Sequence, residues 1–225
     1  MQKGSDLVYY RPKFLEKLER KLKWLAIPNL MLIVVGAMGV VFVMDYIISM
    51  SAGPSIYSML TFNKAQIASG QIWRIFTFLF LPPADNIIFA LLALYFYWLI
   101  GSSLENEWGA FGFTVFYLLG AIGAIISGLI TGYATNDYLN MSLFLAFALL
   151  NPNYTVYVFF LVPIKMKWLA LIDGLGIVAS LIFNSWAGRL SVVMALVNLL
   201  IFFAPMLVMR LKQAYGRWKW KRNFK

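Results

Sequence analysis

The chain has 225 residues, of which 62% are hydrophobic and only 12% are charged, and its mean hydropathy is +0.77. This balance excludes an ordinary soluble domain, in which about 25% of residues are charged, and predicts an integral membrane protein. The net charge is +10 and the chain contains no cysteine and no histidine, which excludes disulfides, thiol nucleophiles and thiolate metal sites. The sequence indicates neither a metal site nor a cofactor.

The N-terminal segment, residues 1–26, is basic and polar before its first apolar stretch, which argues against a cleavable signal peptide. Apolar residues recur at helical spacing in it: Phe14, Leu15, Leu18, Leu22 and Leu25. The pattern predicts an amphipathic helix over Arg11–Leu25 that lies on the membrane surface and binds lipids. A role of its basic residues in binding nucleic acid or a protein partner is the alternative.

A first membrane span is predicted from Pro28 to Met50, followed by a long loop over residues 51–73. The second predicted span, Asn86–Ile100, is shorter than the roughly 20 residues that cross a bilayer. Either Pro82 and Pro83 lie within the outer leaflet or the bilayer thins there. The alternative is that apolar residues 75–81 fill the gap as a loop.

The rest of the chain predicts four further spans and a tail. The third span, residues 111–132, is rich in small residues that favour close helix packing. A short fourth helix, residues 140–150, precedes a segment over 154–162 that is either an extended loop or a helix end. The fifth span follows Lys167 and ends at Phe183, the sixth covers residues 190–209, and residues 210–225 form a basic, aromatic tail.

Six spans place both termini on one side of the membrane. Sixteen of the nineteen basic residues then share that side: seven near the N-terminus, Lys165 and Lys167, and seven near the C-terminus. The positive-inside rule therefore predicts cytoplasmic termini. The tail is interpreted as binding anionic headgroups and not nucleic acid, although its aromatic residues would also suit stacking on single-stranded RNA.

Two motifs carry a resemblance to a known family, and the first surrounds the second span. Its residues are Gly70, Gln71, Trp73, Arg74, Thr77, Phe80, Leu94, Tyr95, Phe96, Leu104, Glu105, Trp108 and Gly109. The second motif is Pro163–Ala170, PIKMKWLA. Over residues 27–209 the chain resembles the rhomboid superfamily of intramembrane serine proteases and their inactive relatives, including the derlins.

The resemblance implies an all-α, six-helix membrane domain over residues 27–209, with a loop wedged into the outer leaflet. It identifies five scaffold residues: Trp73, Arg74, Glu105, Trp108 and Gly109. The second motif is common in bacterial members, so the resemblance also implies a bacterial cytoplasmic membrane. A shared fold leaves the function open.

The family's catalytic chemistry requires a serine on the fourth helix and a histidine on the sixth, because a free hydroxyl is a weak nucleophile. With no histidine the dyad cannot form. The corresponding positions are Asn140, with Ser142 two residues later, and Arg189. On the second helix Asn86 and Ala90 replace the family's histidine and oxyanion-hole asparagine.

Other intramembrane protease mechanisms are also disfavoured. Ser142 lies near the outer end of its helix, whereas Lys165 and Lys167 lie at the inner face, so a serine–lysine dyad is excluded. An aspartyl mechanism needs two carboxylates that share a proton, but Asp45 and Asp173 are predicted in opposite leaflets. No enzymatic activity is therefore predicted.

Asp45 and Asp173 still require an explanation, because a charge within a span is costly. Each is either protonated or hydrogen-bonded to neighbours such as Asn184, Asn198 or Arg189, or Asp45 reaches the outer interface. The functional alternative is that the two acids mark a water-filled, polar interior. The main hypothesis is an inactive rhomboid-like protein that binds transmembrane segments of client proteins, for quality control or trafficking. The alternatives are a small transporter or channel that uses the two acids, and a structural subunit of a larger assembly.

Overall fold

A computed structural model describes residues 13–51, 53–83, 86–158 and 162–223, so Lys3, Arg11, Ala52 and Phe224 lie outside the described residues. The helices in the first part are α1 (Lys13–Leu22), α2 (Leu30–Met50), α3 (Ile56–Leu60), α4 (Lys64–Ala68), α5 (Arg74–Thr77) and α6 (Ile87–Thr131). Those in the second part are α7 (Asp137–Leu150), α8 (Met166–Phe183) and α9 (Trp186–Asn223). Short 3-10 turns cover Lys23–Leu25 and Phe78–Phe80.

Four of the described helices are long and apolar enough to cross a membrane: Leu30–Met50, Ile87–Thr131, Met166–Phe183 and Trp186–Ala204. The molecule is thus a mainly helical, multi-pass membrane protein. The predicted number of six spans and the side on which the termini lie stay predictions.

Helix α6 contains 45 residues and is interrupted at Gly109. This residue has φ 73° and ψ 163°, a conformation that glycine adopts far more readily than other residues. The break divides α6 into two helices, α6a (residues 87–108) and α6b (residues 110–131). The third predicted span therefore agrees closely with α6b.

The predicted end of the second span at Ile100 is wrong, because α6a continues through the polar residues that follow. At about 1.5 Å per residue α6a is roughly 33 Å long, which matches the hydrocarbon thickness of a bilayer. The length of the helix by itself therefore does not require a thinned bilayer, and the extent of the second span stays a prediction. Polar residues 102–107 are compatible with helix because they lie in its final turns.

Helix α7 is short and largely buried, as predicted, although it begins at Asp137 and not at Asn140. The following segment forms an antiparallel hairpin in which β1 (Thr155–Val158) pairs with β2 (Val162–Lys165). Its β-branched and aromatic residues favour extended structure. The fold is thus not purely helical.

The core is built around α6, which packs against α2, α7 and α9, while α8 packs mainly against α7 and α9. Glycines allow the closest approaches. A Cβ on Gly101 of α6a would overlap Met31 of α2, and one on Gly120 of α6b would overlap Leu139 of α7. Small residues in membrane helices commonly permit such contacts.

The N-terminal helix differs from its prediction. Within the described residues α1 covers Lys13–Leu22 and a 3-10 turn follows it, whereas Arg11 lies outside them; Leu15 is fully buried in the protein core. The Leu15 side chain lies beside Gly112 at the start of α6b. Part of the apolar face of α1 therefore contacts the bundle, while Lys17, Lys21 and Trp24 are exposed.

The C-terminal tail also differs, because α9 begins at Trp186 and runs without interruption to Asn223. The sixth predicted span, residues 190–209, and most of the tail, residues 210–225, are thus one helix. Its first half, Trp186–Ala204, has the length and composition of a span.

Candidate functional site

Arg74 is a buried charged side chain, only 3% exposed, and it fastens the loop between α2 and α6. Its Nη1 donates to the carbonyl oxygens of Ser58 at 2.9 Å and Thr61 at 2.8 Å. Its Nε donates to Oε1 of Gln71 at 2.6 Å. A guanidinium group suits this role because it stays charged and presents several donors in a fixed plane.

Two neighbours of Arg74 complete the same arrangement. Trp73 Nε1 donates to the Met59 carbonyl at 3.3 Å, and Thr77 Oγ1 donates to the Leu60 carbonyl at 2.9 Å. The four consecutive carbonyls of residues 58–61 at the end of α3 therefore all receive side-chain donors. Helix ends need such partners, since their last carbonyls have none within the helix. We call residues 73, 74 and 77 the loop clasp.

The clasped loop lies on one end of the bundle, which we call the distal end, where α6b turns into α7 and α8 into α9. Lys64 N donates to the Gly132 carbonyl at 3.1 Å. The buried Asn136 side chain donates to the carbonyls of Leu79 at 3.1 Å and Leu81 at 2.9 Å. The loop is thus fixed at both ends.

Glu105 and Trp108 act at the opposite, proximal end. The Glu105 Oε1 accepts a 2.7 Å bond from the backbone N–H of Asn29, which begins α2 in a left-handed conformation with φ 55°. The Trp108 ring is buried and contacts three aromatic rings at 5.2–5.8 Å: Phe116, Phe202 and Phe203. With the turn at Gly109, all five scaffold residues therefore have structural contacts.

The two acids within predicted spans are not brought together. Asp45 Oδ1 accepts bonds from Ser55 Oγ at 2.8 Å and from the Ile56 backbone N–H at 2.7 Å, and so caps α3. Asp173 lies on α8, on the side that packs against α7 and α9, and its Oδ2 is buried without a hydrogen-bond partner among the described residues. Neither acid contacts Asn184, Asn198 or Arg189 in a described hydrogen bond.

The positions that correspond to the family's catalytic residues also have structural roles. Ser142 is buried, and its hydroxyl donates to the Leu139 carbonyl of its own helix at 2.7 Å. Arg189 donates to the carbonyls of Asn184 at 3.0 Å and Ile182 at 2.7 Å, at the end of α8. Asn86 caps α6a through a 2.9 Å bond from the Ile88 N–H, and Ala90 is buried.

Asn140 belongs to a different arrangement, a group of polar side chains that we call the interior polar site: the buried Tyr117, Asn140 and Asn198 and the half-buried Tyr97. Asn140 is 5% exposed and lies near the Tyr97 hydroxyl, but neither its Oδ1 nor its Nδ2 has a well-aligned hydrogen-bond partner among the described residues. Tyr117 Oη and Asn198 Oδ1 are likewise buried and unpartnered. Buried polar atoms are normally hydrogen-bonded, so this group is unusual.

The four side chains come from α6a, α6b, α7 and α9. Tyr97 lies beside Asn140 and interacts with Asp137 and Tyr117. Asn198 Nδ2 donates to the Phe116 carbonyl at 3.2 Å and lies close to Gly120. The sequence drew attention to Asn140 and Asn198 but missed both tyrosines, because tyrosine in an apolar span is an ordinary packing residue.

A polar cavity lies at the distal end, above the interior polar site. Its lining includes Asp137, Tyr138, Asn184, Ser185 and Ser191. Asn184 Nδ2 donates to Tyr138 Oη at 2.8 Å, and Ser191 Oγ lies 2.9 Å from Ser127 Oγ. Asp137 links the two features, since it lines the cavity and also interacts with Tyr97.

The lateral faces of α6a and α8 are apolar and exposed. On α6a, Phe89 is 52% and Leu91 60% exposed, and on α8, Leu171 is 55% and Leu175 63% exposed. Only Met166 and Ile177 of α8 are buried. Surfaces of this composition are compatible with lipid or with another transmembrane helix.

One family model matches residues 30–204, which cover α2 to the first half of α9, and its description is "Eukaryotic integral membrane protein (DUF1751)". No protein with a curated description matches the sequence. The eukaryotic character of the matched family is at odds with the prediction of a bacterial rhomboid-like protein and leaves a bacterial plasma membrane unsupported.

Proposed function

The chain belongs to this family of eukaryotic integral membrane proteins, DUF1751, and from this premise we propose that it is a non-catalytic, rhomboid-like protein that binds transmembrane segments of client proteins. The proposed arrangement has six spans: α2, α6a, α6b, α7, α8 and α9. The client segment lies against the exposed faces of α6a and α8 and is bound for quality control or trafficking.

The observation that carries this proposal is the peripheral position of α8. This helix packs mainly on α7 and α9, and its outward face is apolar along its whole length. The exposed face of α6a is also apolar, with Phe89 and Leu91 more than half exposed. A client helix between them would gain van der Waals contacts on two sides, which drive helix association in lipid.

The scaffold residues support the rhomboid-like part of the proposal. The loop clasp, the bond from Asn29 to Glu105 and the turn at Gly109 all use residues of the motif. These contacts give the motif residues that make them a structural reason to be present, independent of catalysis.

The environment of Ser142 supports the non-catalytic part. A nucleophilic serine needs a base that accepts its proton. The Ser142 hydroxyl instead donates to the Leu139 carbonyl, and its surroundings include Met141, Ile177 and Val192. A serine-hydrolase probe is therefore expected to leave Ser142 unmodified, and cleavage abolished by Ser142→Ala would contradict the proposal.

Transport through Asp45 and Asp173, the rival hypothesis, has less support. Asp45 caps α3, and its helix packs on the side of α6 away from α8. A continuous path would have to join carboxylates on different sides of the bundle.

Photo-crosslinking in native membranes tests client binding. A photoreactive residue at Phe89 or Leu171 is expected to form adducts with other membrane proteins. Val40 of α2 is the matched control, because it is 58% exposed on an apolar helix outside the proposed surface. Adducts to lipid alone at all three positions, or protein adducts of equal yield at Val40, would overturn the proposal.

A further inference from the structure

The interior polar site combines four buried, unpartnered atoms on three side chains. Tyr117 and Asn198 are 4% and 3% exposed, and Asn140 is 5% exposed. Tyr117 Oη, Asn198 Oδ1 and both polar atoms of Asn140 lack hydrogen-bond partners among the described residues. Leaving one such atom unsatisfied costs about 1–3 kcal/mol, and hydrocarbon offers no replacement partner.

The Tyr97 hydroxyl near Asn140 can bond only one of the two polar atoms of that amide, so the described residues do not supply all the missing partners. Ser142, two residues after Asn140 on α7, donates its hydroxyl hydrogen bond to the Leu139 carbonyl. Asn198 Nδ2 donates to the Phe116 carbonyl, so the atom of Asn198 that lacks a partner is its side-chain oxygen Oδ1. Close packing at Gly120 brings α7 and α9 to the same point of α6b, since a Cβ there would meet Leu139 and Asn198.

A fifth unpartnered atom, Trp108 Nε1, does not belong to this group. The Trp108 ring packs against the faces and edges of Phe116, Phe202 and Phe203. An aromatic ring can accept a weak N–H bond, and three such rings surround this nitrogen, so it does not call for a water molecule. Asn140, Tyr117 and Asn198 offer both donors and acceptors, the combination that a water molecule matches.

We propose that Tyr97, Tyr117, Asn140 and Asn198 form a binding site for water inside the membrane bundle, which is reached from the distal cavity past Asp137. A buried water typically makes about three hydrogen bonds to groups that otherwise lack partners. Asn140 and Tyr117 hold the water from α7 and α6b, Asn198 holds it from α9, and Tyr97 borders the entrance.

This site differs from the polar interior suggested by the sequence. Asp45 and Asp173 do not take part, since Asp45 caps α3 and Asp173 lies on α8. The inference is also independent of client binding, because it concerns the inside of the bundle and not the outer faces of α6a and α8.

Single cysteines provide the first test, because the chain has no cysteine of its own. Asn140→Cys is treated with the small cationic reagent 2-aminoethyl methanethiosulfonate, which reacts with hydrated thiolates. Leu143→Cys is the matched control, since Leu143 lies on the same helix and is 2% exposed. We expect Asn140→Cys to react at least about tenfold faster, because a thiol in apolar surroundings stays protonated and inert.

X-ray hydroxyl-radical labelling of the unmodified protein provides the second test and avoids any folding defect of the variants. Radicals formed from bound water label adjacent side chains. We expect labelling of Tyr117 and Tyr97 well above that of Phe113, a fully buried ring on the same helix as Tyr117. Tyr117 labelling at the level of Phe113 would overturn the proposal. Where the cysteine test and the labelling test disagree, the labelling result takes precedence.

Discussion

Two buried polar regions of this protein are built in opposite ways. In the loop clasp, Arg74 carries a full charge, and its guanidinium donates to Gln71 and to the carbonyls of Ser58 and Thr61. In the interior polar site, neutral Asn140 lies near the Tyr97 hydroxyl but has no well-aligned hydrogen-bond partner among the described residues. The guanidinium, which costs more free energy to bury, is thus hydrogen-bonded, while the amide, which costs less, is not fully hydrogen-bonded.

The difference separates a structural role from a binding role. A buried charged side chain whose Nε and Nη1 donate to three acceptors stabilises one conformation, here that of the loop between α2 and α6. A neutral polar group without protein partners retains its capacity to bind something else. Satisfaction of hydrogen bonds therefore distinguishes the two regions better than polarity or burial does.

The largest expected effect is that of Arg74→Ala in the loop clasp. The change removes a charged donor and leaves the Ser58 and Thr61 carbonyls without it, which we expect to lower the free energy of unfolding by about 3 kcal/mol. Denaturant titration in detergent, followed by circular dichroism, measures it. Arg74→Lys keeps the charge but not the planar donors, and its free energy of unfolding is expected to fall by less than that of Arg74→Ala. An unchanged unfolding midpoint for Arg74→Ala would contradict the stabilising role of the loop clasp.

An intermediate effect is expected at Asp45, whose carboxylate joins α2 to the same loop. Asp45→Ala removes the bonds from Ser55 and Ile56 and should lower the free energy of unfolding by about 1–2 kcal/mol. Asp45→Asn keeps an acceptor oxygen and serves as the control in the same titration. Equal losses for the two variants would show that charge, and not capping, is the contribution of Asp45.

The smallest effect is expected within the interior polar site. Asn140→Leu replaces a side chain that has no protein partner, so we expect the free energy of unfolding to change by less than about 1 kcal/mol. Ser142→Ala, which removes a hydroxyl bonded within its own helix, is the neighbouring control. A loss for Asn140→Leu as large as that for Arg74→Ala would mean that the two regions do not differ.

Much of the fold could be predicted because lipid imposes simple rules on sequence. Apolar runs of span length indicated α2, α6b, α8 and the first half of α9, and the break at residues 151–153 indicated that α7 is short. The motif residues Arg74 and Glu105 were identified as scaffold, and they make scaffold contacts. The length of α6a was predicted too short because its last residues are polar. Polar residues can continue a helix, but they end an apolar run in the sequence.

The sequence by itself determined that the protein is an integral membrane protein of apolar helices without histidine or cysteine. Only the tertiary structure decided which polar groups are satisfied, because their partners lie far away in the chain: Glu105 meets Asn29, and Asn198 meets Phe116. Only the structure also showed that Asp45 caps α3 and assembled Tyr97, Tyr117 and Asn140 into one site. Hydrogen bonding depends on distance and direction between helices, and no local pattern in the sequence encodes either.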